Sequence, residues 1–209
     1  MKYKKFSKSS KIWLKRNSIN KNVLISKEKK LVSRSWFKIH EINLKSNIFK
    51  NNMNIIDLGS SPGGWSKYAS KYIKNKGNII SCDINNMKFT NNIIFYKGNL
   101  LNKKFLKLFL KKISIYNIDV LMSDMSPNIS GNKCVDNCNI INLLNLSFKI
   151  CKKIFLKNGI YIVKAFEGTY LNKYIKILKD FFINVKIYKL KSSYNSSREL
   201  FIVGKGTIR

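Results

Sequence analysis

A glycine-rich segment constrains the fold of this chain more than any other stretch. Residues 54–66 read Asn-Ile-Ile-Asp-Leu-Gly-Ser-Ser-Pro-Gly-Gly-Trp-Ser, so an apolar run ends in a cluster of three glycines and one proline. This pattern predicts a buried strand that enters a tight loop. The glycines permit positive φ and let a ligand approach bare backbone. A helix that begins at Trp65 would direct its free N–H groups at the same place, which predicts a nucleotide pocket at the carboxyl end of a sheet.

Other classes of site fit the sequence less well. The glycine spacing is not Gly-x-Gly-x-x-Gly, and no Gly-Lys-Ser/Thr follows, so neither a dinucleotide fingerprint nor a P-loop is met. An ordinary strand-to-helix turn would need only one of these glycines. The four cysteines form no Cys-x-x-Cys pair, and the only histidine is His40. We therefore expect reduced thiols, no metal site and no histidine-based acid–base chemistry.

The charge of the chain indicates a polyanionic partner. Its 209 residues carry a net charge of +31, a field that attracts RNA or DNA. Lys, Ile and Asn make up 94 of the 209 residues, so part of this charge is expected from an A/T-rich genome alone. There is no apolar run of membrane-spanning length and no signal-peptide pattern, which predicts a cytoplasmic protein without membrane contact.

The chain divides into a basic N-terminal arm, residues 1–32, and one domain, residues 33–209. The first 30 residues hold eleven basic residues and one acid, interleaved with Tyr3, Phe6 and Trp13. This composition favours an RNA-binding arm with stacking aromatics over a merely solvated basic segment.

The domain alternates between helical and strand patterns. We expect helices over 33–46, with Ser33 as the cap, and over 65–74, 103–112, 139–156 and 171–182. Strands are expected over 54–59, 78–84, 93–97, 118–124, 159–166, 185–190 and 199–203. The alternation predicts an α/β fold with a mostly parallel, doubly wound sheet. No helix separates the last two strands, so the last strand should be antiparallel.

Polar residues follow the predicted strands where ligands bind in such sheets. Asp83 ends the second strand and could accept hydrogen bonds from ribose hydroxyls, and Asn99 follows the third and could read an adenine edge. Asp124 ends the fourth strand, and Lys164 lies near the end of the fifth, between apolar neighbours. Taken singly, each has a simpler explanation as a turn former or a surface lysine.

Taken together and in order, several motifs resemble a known family. The chain is similar to the FtsJ/RrmJ ribose 2′-O-methyltransferases, and within them to the bacterial enzymes that methylate a uridine of 23S ribosomal RNA. The likeness covers nearly the whole chain and rests on these segments: Ser33-Arg34-Ser35-Trp36-Phe37-Lys38, Asp57-Leu-Gly-Ser-Ser-Pro-Gly-Gly-Trp65, Cys82-Asp83, Ser123-Asp124-Met-Ser-Pro127-Asn128, Val163-Lys164-Ala-Phe166 and Ser197-Arg198-Glu199.

The resemblance implies a Rossmann-like, S-adenosylmethionine-dependent methyltransferase fold and a set of site residues. The implied catalytic residues are Lys38, Asp124, Lys164 and Glu199. The implied cofactor contacts are Gly63, Trp65, Asp83, Asn99 and Asp124. The family usually has Asp at position 99, and an amide there implies weaker cofactor binding.

The resemblance also implies the substrate and the chemistry. The target that the resemblance implies is the 2′-hydroxyl of a uridine ribose in the A-loop of 23S ribosomal RNA. The sequence leaves the assembled large subunit and free RNA open as substrates; we expect the assembled subunit, and a monomeric protein because no sequence feature indicates more than one copy. Lys164 is the candidate for removing the hydroxyl proton. Asp124 and Glu199 are the candidates for orienting the Lys164 amine, and Lys38 for tuning that amine. Transfer RNA as substrate, or an assembly factor that has lost catalysis, are the alternatives.

Overall fold

The computed structural model describes residues 31–73, 76–87, 92–155, 158–194 and 197–208. The predicted arm, residues 1–32, lies outside the described residues except for its last two. Its role in RNA binding therefore stays a prediction.

Within the described residues, five helices and seven strands alternate. The helices are α1 (Ser35–Ser46), α2 (Gly64–Ala69), α3 (Lys103–Ile113), α4 (Lys133–Ile154) and α5 (Leu171–Lys179). The strands are β1 (Ile55–Leu58), β2 (Ile79–Asp83), β3 (Ile93–Lys97), β4 (Val120–Ser123), β5 (Ile160–Phe166), β6 (Phe182–Tyr188) and β7 (Glu199–Thr207).

The strands form one sheet in the order β3-β2-β1-β4-β5-β7-β6. β1 to β5 pair in parallel, whereas β7 lies antiparallel between β5 and β6. The predicted α/β fold with an antiparallel last strand is confirmed. Because β1 and β4 are central in a parallel sheet, they are buried along their whole length, and their carboxyl ends open at one edge.

Apolar side chains cover both faces of the sheet. α1 and α2 pack on one face, where Ile39, Ile42 and Trp65 meet Met122 and Phe201. On the other face, the helices α3, α4 and α5 contribute Phe109, Phe148 and Leu178. This three-layer arrangement holds the strand ends in place and leaves the loops that follow them free to build a site.

Two helix starts differ from the sequence predictions. Ser33 does not cap α1: its Oγ lies 2.6 Å from Ser35 Oγ, and backbone bonds from Trp36 N to Ser33 O and from Phe37 N to Arg34 O open the helix instead. α4 begins at Lys133, six residues earlier than expected, because Asn132 accepts hydrogen bonds from two N–H groups of its first turn. That turn is largely exposed, so it carries no apolar periodicity.

Candidate active site

Glycine is required where the loops after β1 and β4 meet. Gly59 has a φ of +73°, and a Cβ there would lie 2.8 Å from the backbone nitrogen of Met125. Any larger residue would push the two loops apart. Gly63, with a φ of +110°, turns the chain into α2. The predicted strand, glycine loop and helix are therefore present.

A cleft of about 550 Å³ opens at the carboxyl ends of β1 to β4. Asp83, Asn99 and Asp124, predicted from separate strand ends, line it together. Other lining residues are Gly59, Ser61, Ile84, Leu101, Met125, Pro127, Asn128, Asn142 and Leu143. Its volume falls in the range of small-molecule and cofactor sites.

Asp83 is oriented by main-chain donors. Ser61 N donates to its Oδ2 at 2.9 Å, and Asn85 N donates to its Oδ1 at 2.7 Å. Each carboxylate oxygen keeps acceptor capacity for a further donor, since an ionised carboxylate has about four lone-pair sites. Asp83 can therefore take hydrogen bonds from the hydroxyls of a bound ribose.

Asn99 is held by its amide oxygen, which accepts a hydrogen bond from Leu101 N at 2.9 Å. Its amide nitrogen, a donor, is the group left for a ligand. Ile84 and Leu101 line the same cleft and are 60% and 57% exposed. Exposed aliphatic surface beside a polar edge suits a flat heterocycle, and the sequence patterns did not single out either residue.

Lys164 and Asp124 form an ion pair beside the cleft. Lys164 Nζ lies 2.8 Å from Asp124 Oδ1 and also donates to the Asp124 carbonyl oxygen at 2.7 Å. The lysine side chain is 8% exposed and the aspartate 18%. Lys164 is thus fixed at the strand end by two contacts to one residue.

Lys38 and Glu199 form a second buried pair. Lys38 Nζ is 2.7 Å from the Glu199 carboxylate, which also accepts from Ser193 Oγ at 2.7 Å. Glu199 was expected to orient Lys164, but in the described ion pairs its partner is Lys38. The pair joins α1 to the start of β7, residues 161 positions apart in the chain.

Trp65 and Gly63 lie away from the lining of this cleft. The indole of Trp65 is buried in the core, 5.7 Å from the ring of Phe201, and its Nε1 donates to Ser35 O at 3.0 Å. Gly63 N donates to Ser60 O at 2.6 Å. Both residues thus shape the entry of α2, and their predicted contact with cofactor stays a prediction.

Asp57 is a buried acid for which the sequence patterns predicted no role. It is fully buried, accepts a hydrogen bond from Ser66 Oγ at 2.5 Å, and its Oδ1 has no partner. Burial raises the pKa of Asp57 to about 7, and the nearby charges of Asp124 and Asp83 act in the same direction.

Asp136 holds the far end of the loop between β4 and α4. Its carboxylate accepts from Ser130 N and Ser130 Oγ, both at 2.8 Å, and from Gly131 N at 3.1 Å. These hydrogen bonds, Ser130 first, keep the pKa of Asp136 below its ordinary value, and the charge of Arg198 adds to the effect. A carboxylate six residues after a Ser-Gly turn is the local signal that sequence reasoning passed over.

Two absences hold for the part of the chain that the structure describes. No cluster of three or more His, Cys, Asp or Glu side chains there could hold a metal ion. None of its helices is long and apolar enough to cross a membrane.

The fold and this cleft are those of a nucleotide-cofactor methyltransferase. The profile of the FtsJ-like methyltransferases matches residues 31–207, and the chain belongs to that family. Family membership confirms the cofactor prediction, S-adenosylmethionine.

Relatives from Buchnera aphidicola align with nearly the whole chain. The ribosomal RNA large subunit methyltransferase E of subspecies Cinara cedri is 47% identical over 97% of each chain. The protein of that name from subspecies Schizaphis graminum is 42% identical, over 96% of this chain and 97% of its own.

Solved structures share the fold. A crystal structure from Plasmodium falciparum, described as a ribosomal RNA methyltransferase, superimposes with a TM-score of 0.72 and 29% identity, covering 84% of this chain and 98% of its own. Human methyltransferase-like protein 13, solved with S-adenosylhomocysteine, has a TM-score of 0.53 at 11% identity, over 73% of this chain and 71% of its own, a likeness of fold alone.

Proposed function

We propose that this protein transfers the methyl group of S-adenosylmethionine to the 2′-hydroxyl of a uridine ribose in 23S ribosomal RNA, in the A-loop of the large subunit. The Lys164–Asp124 ion pair beside the cleft carries the proposal, because it holds a lysine amine next to a cofactor-sized site. The ribosomal RNA methyltransferases among the relatives support the substrate.

The residues of the cleft fit the cofactor. Asp83, fixed by two N–H donors, can bind the ribose hydroxyls, and Ile84 and Leu101 can cover the two-ring base. Asn99 would meet the polar edge of that base. When bound, S-adenosylmethionine supplies a methyl group on a positively charged sulfur.

The chain's own residues position the hydroxyl and move its proton. Lys164, as the neutral amine, accepts the proton of the 2′-hydroxyl while Asp124 and its carbonyl hold the amine in place. Lys38 lies on the α1 side, where it pairs with Glu199, whose carboxylate also accepts a hydrogen bond from Ser193 Oγ. Lys38 also provides a contact for the phosphate of the target nucleotide.

A labelled-methyl assay tests the reaction and separates its alternatives. The purified protein is incubated with methyl-labelled cofactor and undermethylated large subunits, free 23S ribosomal RNA or transfer RNA. We expect label on the large subunit and, after nuclease digestion, in a 2′-O-methyluridine. Label on transfer RNA alone would identify the alternative substrate. Cofactor binding without any transfer would indicate an assembly factor.

A further inference from the structure

Helix α1 lies along strand β7 and contacts it at both ends. Near its start, Lys38 pairs with Glu199, the first residue of β7. At its last residue, the Ser46 carbonyl accepts a hydrogen bond from Lys205, six residues further along β7. These two contacts are separated by about 20 Å of strand. α1 therefore reaches from the candidate active site to the opposite edge of the sheet.

Strand β6 extends the sheet beyond this helix. It is the edge strand, and its register pairs Tyr188 with Phe201 and Lys186 with Val203. Because paired residues in a sheet point to the same face, these side chains share the face of α1. Tyr188 meets the helix directly: its hydroxyl is 2.7 Å from Ser46 Oγ.

The space between α1 and β6 is lined by cations and one aromatic ring. We call it the α1–β6 shoulder, defined by Lys45, Lys50, Lys186, Tyr188 and Lys205. Lys45 Nζ lies 5.7 Å from the Tyr188 ring centroid, and Lys45, Lys50 and Lys186 are exposed. Burial and the charges of Lys186 and Lys50 lower the pKa of Lys205. Lys50 and Lys186 thus lie close enough to Lys205 to repel it.

Acids offset little of this charge. Glu41 pairs with Lys45 at 2.7 Å, but no ion pair within the described residues involves Lys50, Lys186 or Lys205. Like charges that gather without carboxylates destabilise the free protein and favour a bound polyanion. Lys38 and Lys45, seven residues apart, lie on one side of α1 and connect the shoulder to the catalytic pairs.

We propose that the α1–β6 shoulder binds the phosphodiester backbone of the RNA substrate on one side of the methylated nucleotide. The proposal rests on the proposed function for the identity of the RNA. A row of lysines with a half-buried tyrosine ring suits a phosphate chain with a stacking base. Its distance from the cleft means that it contributes to affinity and register and not to the chemical step.

Two double variants with equal charge change test this surface. The first, Lys50→Ser with Lys186→Ser, removes two exposed shoulder lysines whose side chains make no described hydrogen bond. The matched control, Lys173→Ser with Lys176→Ser, removes two exposed lysines of α5 on the other face of the sheet. Binding to a 23S ribosomal RNA fragment is measured at several salt concentrations, with methylation assayed on the same preparations.

We expect the shoulder variant to weaken RNA binding at least several-fold more than the control. Its slope of log affinity against log salt should fall by about 1.4 to 1.8, as expected when two phosphate groups are no longer neutralised. Turnover at saturating RNA and cofactor affinity should match wild type, and the melting temperature should be equal or higher because two repelling charges are removed. Equal effects in both variants, or a loss confined to turnover, would overturn the proposal. RNA binding that depends on the shoulder without any methylation would instead overturn the proposed function alone.

Discussion

Four charged side chains at the candidate site are arranged as two largely buried ion pairs. Lys164 with Asp124 and Lys38 with Glu199 are each 2.7 to 2.8 Å apart, with side-chain exposures of 18% or less. Buried pairs add little net stability, but removing one partner leaves an uncompensated charge that costs about 3–5 kcal/mol. Variants at these positions therefore need a stability control before a loss of activity is interpreted.

Replacing Lys164 with methionine should abolish turnover and weaken cofactor binding by at most about tenfold, because Lys164 also fixes the first residue of the loop after β4. In the proposed reaction the amine acts on the hydroxyl proton in the transition state, whereas the proposed cofactor contacts lie at Asp83 and the loops after β2 and β3. Turnover and calorimetric binding of S-adenosylhomocysteine on one folded preparation measure both. Activity close to wild type would remove Lys164 from the chemistry.

Asn99→Asp should tighten cofactor binding, and Asp83→Ala should weaken it. In the wild type the Asn99 amide oxygen accepts a hydrogen bond from Leu101 N, so the amide nitrogen, a donor, is left for the ligand. An aspartate would keep the hydrogen bond from Leu101 N and offer its second carboxylate oxygen to the ligand as an acceptor. Removal of the Asp83 carboxylate should cost on the order of 1.5–3 kcal/mol for its charge-assisted hydrogen bonds. Dissociation constants from calorimetry give both values, and no change in either variant would place these side chains outside the cofactor site.

Asp57 should make the protein less stable as pH rises through neutrality. Its pKa is about 7 in the folded state against 3.8 ordinarily, so the folded state binds the extra proton between these values. The contribution of Asp57 to the free energy of unfolding is therefore largest below pH 3.8. It falls by roughly 4 kcal/mol as the pH rises to 7. Asp57→Asn removes this dependence, so its stability relative to wild type should increase from about pH 4 to about pH 7 in urea unfolding and stay level above that. A constant difference would mean that Asp57 is ionised in the folded state.

The loop between β4 and α4 is fixed at both ends. Lys164 holds its first residue through the Asp124 carbonyl, and Asp136 holds Ser130 and Gly131 near its end. The residues between them, Met125 to Asn128, line the cleft. This wall of the cleft therefore depends on Asp136, a residue of α4 that does not itself line the cleft.

Asp136→Asn should loosen that wall and raise the dissociation constant of the cofactor by about tenfold. An amide offers Ser130 and Gly131 one acceptor where the carboxylate offers two. Asp119→Asn is the matched control, because Asp119 also accepts a backbone N–H, from Asn54 at 2.8 Å, at the other end of the strands. Both variants should have a lower melting temperature than wild type, but only Asp136→Asn should bind cofactor more weakly. Equal cofactor affinity in the two would limit Asp136 to a structural role.

The charge of the whole molecule is spread widely, so its functional part must be separated from the background. Eleven basic residues fall in the first 30, and many more lie on helices far from the cleft. Charge that only attracts RNA from a distance acts equally wherever it lies, whereas phosphate contacts are local.

Removing residues 2–30 should raise the Michaelis constant for RNA far more than that for S-adenosylmethionine. Turnover at saturating RNA should change little, because positioning charges bind ground and transition states alike. The salt dependence of RNA affinity should flatten by roughly 0.7–0.9 for each phosphate group that the arm neutralises in the intact protein. Neutralising an equal number of lysines in the arm and in α3 provides the comparison, and equal effects would mean that the arm contributes diffuse charge only.

Local patterns in the chain were sufficient for the fold and for most of the cleft. The strand, glycine loop and helix at residues 55–69 follow from apolar residues and glycine, whose effects act between near neighbours. Because all parallel strands end at one edge, the order of strands and loops was enough to expect Asp83, Asn99 and Asp124 together.

Partner choice, burial and the support of the site came only with tertiary packing. Lys38 pairs with Glu199, which is 161 residues away in the chain. The end of α1 contacts Lys205 only because the helix lies along β7. Asp57 and Asp124 both lie in predicted strands, but Asp57 is fully buried in the structure and burial raises its pKa to about 7, whereas the Asp124 side chain is 18% exposed. Ion pairing and desolvation depend on distances and on solvent exclusion over a few ångströms, and those are set by how the layers pack, not by the order of residues.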